Sequence, residues 1–221
     1  MTPRLVFADA AAAADALTFA RRAARLGDGT AIRLQGGGGV LAMTAAALAP
    51  RGLLDPSPTV LGLRTAPVDP ELVCDLVVEA ALLVPGEDAA SLALPATGLS
   101  VGWAGVAPPR GGWEPTGEVA ASAIATAAQR GMAEVARDSP ASTSEEALRT
   151  ARARVWGAPE DSLAGLPLGA AFAAFVLGFV SGEESARLFT ADRWTRLTLT
   201  RGHVLVRGPA RSGLTPVRST G

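Results

Sequence analysis

The spacing of apolar residues predicts one long amphipathic helix near the N-terminus. Alanines and Leu17 recur every three or four residues between Ala13 and Ala24, and arginines occupy the opposite face. Asp9 can accept a hydrogen bond from the first free N–H groups, and Gly27 can end the helix. We therefore predict a helix over residues 10–26.

Alternating apolar and polar positions predict strands in the rest of the first half. The peptides AIRLQ and VLAMTAAAL flank four glycines, Gly36 to Gly39, and this arrangement is typical of a hairpin. The peptide DLVVEAALLV fits a strand, a helix, or one of these followed by the other. Further strands are predicted at RLVF, TVLGLRTA and LSVGWAGV.

The second half begins with helical patterns and ends with strands. Helices are predicted over residues 118–137, 145–156 and 168–180. Ser142 and Glu145 have capping-box spacing before the second helix, and the third, LGAAFAAFVLGFV, is apolar on all sides, as in a buried helix. Turns at Ala191-Asp192 and Arg201-Gly202 then divide a β-meander.

Together these elements predict an α+β fold. An N-terminal helix with a mainly antiparallel sheet is followed by a helical C-terminal part that the β-meander closes. We place a domain boundary in the proline-rich peptide APPRGGWEPTG. The predicted parts are residues 1–108, residues 109–207 and a flexible tail at 208–221, with one continuous domain as the alternative.

Composition removes several classes of active centre. The alanine-rich chain contains no lysine, so it has neither a P-loop lysine nor a lysine that could form a Schiff base. Cys74, the single cysteine, lies in the apolar run LVCDLVV, and we interpret it as a core residue. With His203 as the only histidine, a zinc site built from several histidines of one chain is excluded, and we predict no metal and no cofactor.

The terminus and the hydropathy pattern predict a cytoplasmic protein. The peptide MTPRLVFADA lacks the basic and apolar regions of a signal peptide, and the apolar run at 168–180 is too short to span a bilayer. A formal net charge of -1 with 48% hydrophobic residues is typical of a packed globular protein. We therefore expect no membrane partner.

The strongest candidate site is the tryptophan segment, residues 101–117, with the sequence VGWAGVAPPRGGWEPTG. Trp103 and Trp113 bracket a proline pair and Arg110, a combination suited to an anion, a planar ligand or a partner protein. The alternative is that these tryptophans pin a connector onto the core. We name Trp103, Arg110 and Trp113 as candidate ligand- or partner-binding residues and predict no catalytic residue.

Two other functions remain open on the sequence. An enzyme would have to use His203 or the adjacent carboxylates, which are Glu87-Asp88, Glu145-Glu146, Glu160-Asp161 and Glu183-Glu184. The arginines that follow Glu184, with Asp192 as the one acid among them, could bind nucleic acid or another acidic partner. Nucleic acid is disfavoured because the apolar helix offers no donor to a base edge.

Three segments spread over the chain resemble an uncharacterised protein family of GC-rich bacteria. They are RLQGGGGVLAMTAAALAPRGLLD, WAGVAPPRGGWEPTGEVA and RWTRLTLTRGHVLVRG. The resemblance implies a folded protein and brings no activity. We expect a non-enzymatic cytoplasmic binding or interaction protein that forms a homo-oligomer, with a protein or a small anionic ligand as a further partner.

Overall fold

The computed structural model describes residues 3–52, 54–138 and 144–208, so Ser142 and the predicted tail beyond Gly208 lie outside the described residues. The first part contains β1 (Arg4–Val6), α1 (Ala10–Ala23), β2 (Ala31–Gly37), β3 (Val40–Leu48), β4 (Thr59–Pro67), β5 (Cys74–Glu79), β6 (Val84–Pro85) and β7 (Ser91–Ala93). The second part contains β8 (Glu114–Ala120), α2 (Ala121–Asp138), α3 (Glu145–Gly157), β9 (Pro159–Glu160), β10 (Leu166–Pro167), α4 (Leu168–Val176), β11 (Ser185–Ala191), β12 (Trp194–Leu199) and β13 (Gly202–Arg207).

An antiparallel sheet of eight strands runs through both parts, in the order β5-β2-β3-β4-β13-β12-β11-β8. Each half of this sheet contains a three-stranded meander, β2-β3-β4 after α1 and β11-β12-β13 after α4. The meanders join where β4 pairs with β13, with Leu63 opposite His203 and Thr59 opposite Arg207. The predicted α+β class, with a mainly antiparallel sheet and a closing meander, is confirmed.

The helices cover one face of this sheet, which we call the inner face. Phe19 of α1 and Ile124 of α2 are fully buried, as are Leu177 and Phe179 after α4. The rings of Phe19 and Phe179 stack with their centroids 6.1 Å apart. Gly62 of β4 has no side chain at a point where a Cβ would lie 2.0 Å from a methyl group of Leu177. The tight approach of α4 to the sheet therefore depends on that glycine.

Local signals gave several element boundaries correctly. Asp9 caps α1 by accepting a hydrogen bond from Ala12 N at 2.7 Å, and a 3₁₀ turn extends the helix to Leu26. Gly38 and Gly39 form the hairpin turn with φ of 59° and 80°, as the glycine run predicted. The peptide DLVVEAALLV forms most of strand β5 and then a 3₁₀ turn, which is one of the alternatives.

Four element predictions need correction. The peptide LSVGWAGV is not a strand, because residues Gly102–Gly105 form a 3₁₀ turn. The long helix begins at Ala121 rather than at Glu118, since Glu114–Ala120 is the edge strand β8. Helix α3 is capped by Ser144, whose hydroxyl accepts from Ala147 N at 3.3 Å. Helix α4 is also shorter than predicted and ends at Val176. No helix in the described ranges is long and apolar enough to cross a bilayer.

Candidate functional site

The outer face of the eight-stranded sheet, opposite the helices, carries a second and smaller hydrophobic cluster. Leu61, Trp194 and Leu205 are buried there and lie on the three neighbouring strands β4, β12 and β13. Trp103, Val106 and Trp113 pack against them from the tryptophan segment. This segment therefore covers part of a sheet face that would otherwise expose apolar side chains to water.

Arg33 of β2 fastens the tryptophan segment to the sheet. Its guanidinium forms a two-pronged ion pair with Asp75 of β5, with N···O distances of 2.8 and 2.7 Å. The hydrogen bond to Asp75 raises the pKa of Arg33 and lowers that of Asp75. A third N–H of Arg33 donates to the carbonyl of Ala104 at 2.5 Å, next to Trp103. The 3₁₀ turn is thus held at a fixed position on β2.

The structure brings two of the three predicted site residues into the same cluster. Trp103 and Trp113 both pack on the outer face, and Trp113 Nε1 donates to the carbonyl of Pro109 at 3.1 Å. That bond closes the loop between the prolines and Trp113. Arg110 lies in this loop and is exposed.

The guanidinium that meets Trp113 belongs to Arg196 of β12. Its central carbon lies 4.6 Å from the centroid of the Trp113 ring and 4.7 Å from that of Phe189 on β11. Arg196 Nε is buried and, among the described residues, has no hydrogen-bond acceptor. A cation is therefore held between two rings with part of its hydrogen-bonding capacity unused.

Positive charge dominates the surroundings of Arg196. Arg187 lies with its guanidinium 5.8 Å from the centroid of the Phe189 ring. Within the described ranges neither Arg187 nor Arg196 forms an ion pair, although Glu118 is opposite Arg187 in the register of β8 and β11. Burial, and then repulsion from Arg187, lowers the pKa of Arg196. The face therefore has an unbalanced positive charge next to aromatic rings.

His203 extends the same face on β13. Its Nδ1 lies 3.1 Å from the hydroxyl oxygen of Thr198, its register partner on β12. Burial lowers the pKa of His203, and the positive charge of Arg196 lowers it further. The ring is therefore neutral at pH 7 and serves as a cross-strand hydrogen-bond partner.

An open depression of about 500 Å³ lies beside the tryptophan segment. Val106 and Pro109 form its wall on the side of the segment, and Trp194 and Arg207 line it on the side of the sheet. Asp192 and Arg193 of the β11–β12 turn complete the rim. The volume is in the range of small-molecule sites, and the lining combines an aromatic ring with charged groups.

The adjacent carboxylates that could have supported an enzyme are dispersed over the molecule. Asp88 pairs with Arg4 at 3.2 Å, Glu146 with Arg149 at 3.0 Å, and Glu160 with Arg130. Glu184 accepts from the Thr200 hydroxyl at 2.7 Å. No group of three potential metal ligands occurs among the residues that the structure describes.

Comparison with known families accounts for nearly the whole chain. Residues 1–105 match a family described as a domain of unknown function, DUF8010, and residues 108–211 match a second one, DUF8185. Each match covers slightly less than half of the chain. The expected resemblance to an uncharacterised family is confirmed at this level. No curated protein matches the chain.

Among solved structures, the chain is similar to the DNA polymerase sliding clamp of Caulobacter crescentus. The sequence identity is 12% and the TM-score 0.46, with 97% of this chain and 67% of the clamp covered. A second structure of that organism's beta sliding clamp, with polyethylene glycol bound at a putative beta-motif tethering region, gives 12% identity and a TM-score of 0.44. This second match covers 97% of this chain and 66% of the clamp chain. The chain therefore spans about two thirds of the length of these clamp chains.

The candidate site combines both family matches. Trp103 belongs to the first match, whereas Trp113, Phe189 and Arg196 belong to the second. Sequence reasoning missed Phe189 and the specific role of Arg196, because their proximity to Trp113 depends on the pairing of β11 with β8 and β12. Arg196 did stand in the arginine-rich stretch after Glu184, but nothing distinguished it from its neighbours there.

Proposed function

We propose that this protein is a non-enzymatic binding protein that receives an anionic group on the outer face of its sheet. One observation carries the proposal: Arg196 is fixed between Trp113 and Phe189 while its buried Nε has no acceptor among the described residues. A buried polar group without a partner costs free energy, and the positive charge of the same guanidinium attracts an anion to its remaining N–H groups. The rings hold the planar guanidinium in one orientation, which lowers the entropic cost of binding.

The three predicted residues take different parts in this proposal. Trp113 forms a wall of the site, and Trp103 anchors the segment that carries Trp113. Arg110 supplies a second cation from the exposed loop. The ligand is a small anion or an acidic group of a partner protein, because Arg187 and Arg207 add positive charge to the same face.

The test titrates the full chain with inorganic phosphate, with a hexaglutamate peptide and with a short single-stranded oligonucleotide. Binding is followed by calorimetry and by the ¹⁵N–¹H signals of the arginine Nε groups. We expect one saturable anion site whose occupation shifts the Arg196 signal. Arg196→Gln should weaken binding about tenfold or more, since a charge-assisted hydrogen bond contributes at least about 1.4 kcal/mol.

Arg201→Gln is the matched control, because this exposed arginine of the same meander lies in the turn between β12 and β13. It removes the same charge without touching the rings. An equal loss of affinity in both variants would show non-specific attraction and overturn the proposal, as would the absence of saturable binding. Binding of the oligonucleotide alone, without phosphate or hexaglutamate, would favour the nucleic-acid alternative instead.

We also propose that the protein self-associates through the sheet end formed by β5. Val73 is 84% exposed before this strand and Leu76 is 39% exposed within it. The opposite end is better protected from further pairing, because β8 contains Pro115, which has no N–H to donate to an added strand. At the edge of β5 that does not pair with β2, Leu99 N donates a hydrogen bond to the carbonyl of Val77. This contact covers only part of the free strand edge.

A further inference from the structure

A depression of about 530 Å³ opens on the helical side of the molecule, away from the proposed anion face. Helices α2, α3 and α4 and the 3₁₀ turn after α1 surround it. Its wall is mainly apolar and includes Met132, Val135, Leu148, Trp156, Phe172 and Phe175. Trp156 and Phe172 both line it and stack with their centroids 4.2 Å apart, and we call this ring pair the aromatic floor.

Two arginines are the charged groups of this depression. Of the described residues that line it, only Arg25 and Arg152 carry a charge, and both are exposed. Neither forms an ion pair with a described residue. A neighbouring depression of about 510 Å³ shares Arg152. Its other two arginines, Arg51 and Arg149, are neutralised, because both pair with Glu146. Unbalanced positive charge therefore borders the apolar depression itself.

We propose that this depression binds a small amphipathic anion, a carboxylate with an aliphatic chain. The chain packs against the aromatic floor and the apolar wall, and the carboxylate lies between Arg25 and Arg152. Burial of methylene groups supplies most of the affinity, and the arginines select an anionic over a neutral head group.

The size of the depression favours a small molecule over a partner helix. A volume of about 530 Å³ falls in the range of small-molecule sites. A stable protein interface requires roughly 800 Å² of buried surface on each partner, which is far more than one such depression offers. The occupant is therefore a single acyl chain rather than a polypeptide surface.

The test measures binding of dodecanoate, below its micellar concentration, to the full chain by calorimetry and by tryptophan emission. We expect one saturable site and a change in emission, because Trp156 forms the floor. Decanoate should bind more weakly, by about fourfold per methylene removed. Dodecan-1-ol, which has the same chain and no charge, should bind about tenfold more weakly or worse.

Two matched double variants separate a specific head-group site from general attraction. Arg25→Gln with Arg152→Gln should weaken dodecanoate binding about tenfold or more and leave dodecan-1-ol binding unchanged. Arg21→Gln with Arg137→Gln removes two exposed charges of α1 and α2 that do not line the depression, and it should change neither.

The proposal is overturned if dodecanoate shows no saturable binding, if the alcohol binds equally well, or if both double variants behave alike. Saturable binding of an acidic amphipathic peptide, together with no binding of dodecanoate, would overturn the proposal and assign the depression to a partner protein instead. All these variants lie outside the face around Arg196. A negative result for dodecanoate therefore leaves the proposed anion binding at Arg196 intact, and a negative result at Arg196 leaves the proposal for the depression intact.

Discussion

At the scale of single residues, the environment of Arg196 decides what the outer face can bind. Burial lowers the pKa of Arg196, but the guanidinium keeps its charge, because arginine is not deprotonated in proteins. In sequence, the arginine nearest to Trp113 is Arg110, and the tryptophan segment suggested that pair. In the folded chain, strand pairing brings Arg196 to the ring and leaves Arg110 exposed in the loop.

His203 gives a prediction about pH. Its pKa in the folded state is lowered by burial and by Arg196, so the unfolded chain binds a proton more readily than the folded one. Stability therefore falls as the pH drops below the ordinary histidine value of about 6.5. In His203→Gln this part of the pH dependence should vanish.

Urea unfolding of the wild-type protein and of His203→Gln, between about pH 7.5 and pH 5, measures the contribution of His203. The quantity compared is the difference in unfolding free energy between the two proteins at each pH. The wild-type protein should lose stability relative to His203→Gln as the pH falls. A constant difference over this range would mean that the imidazole has the same pKa in both states.

At the scale of elements, the close packing of α2 against α3 and α4 depends on one glycine. A Cβ at Gly131 would lie 2.3 Å from the Trp156 ring and 2.8 Å from a methyl group of Leu168. Alanine favours a helix over glycine by about 1 kcal/mol, but overpacking a core costs about 1–3 kcal/mol. Gly131→Ala should therefore destabilise the protein by up to about 2 kcal/mol and disturb Trp156.

The measurement is chemical unfolding followed by tryptophan fluorescence. Ser122→Ala is the control, since it raises helix propensity at an exposed position of the same helix and should hold or increase stability. A gain of stability in Gly131→Ala would show that Trp156 has room to move.

Elements with local signals were predictable, and elements defined by distant partners were not. Helix α1 was predicted nearly to the residue, because Asp9 and Gly27 act within the helix itself. LSVGWAGV alternates like a strand, but Trp103 and Val106 pack against the outer face of the sheet and the peptide pairs with no strand of it. Strand β8 was missed because five of its seven residues are exposed in a row, so EPTGEVA has no alternation to detect.

At the scale of the whole molecule, a single sheet connects the two family matches. β4 comes from the first match and β13 from the second, and five residue pairs join them. The ends of this sheet are chemically unequal, which leads to a prediction about assembly.

Light scattering on the purified chain should give a mass of at least twice that of one chain. Val73→Lys with Leu76→Lys should reduce it to a single chain, because charges at the exposed edge of β5 oppose strand pairing and remove apolar contact area. Leu54→Lys, at a residue 98% exposed outside the strands, is the control and should leave the mass unchanged. A monomeric wild-type protein would contradict self-association.

The sequence by itself determined the α+β class, the order of most helices and strands and the closing meander, because periodicity and capping act over a few residues. It also located the tryptophan segment, through its unusual residues. Only the tertiary structure decided that β4 and β13 join two meanders, that Arg196 meets Trp113, and that two arginines border an apolar depression between helices. Such contacts join residues far apart in the chain, and their geometry follows from strand register and helix packing, which no short stretch of sequence specifies.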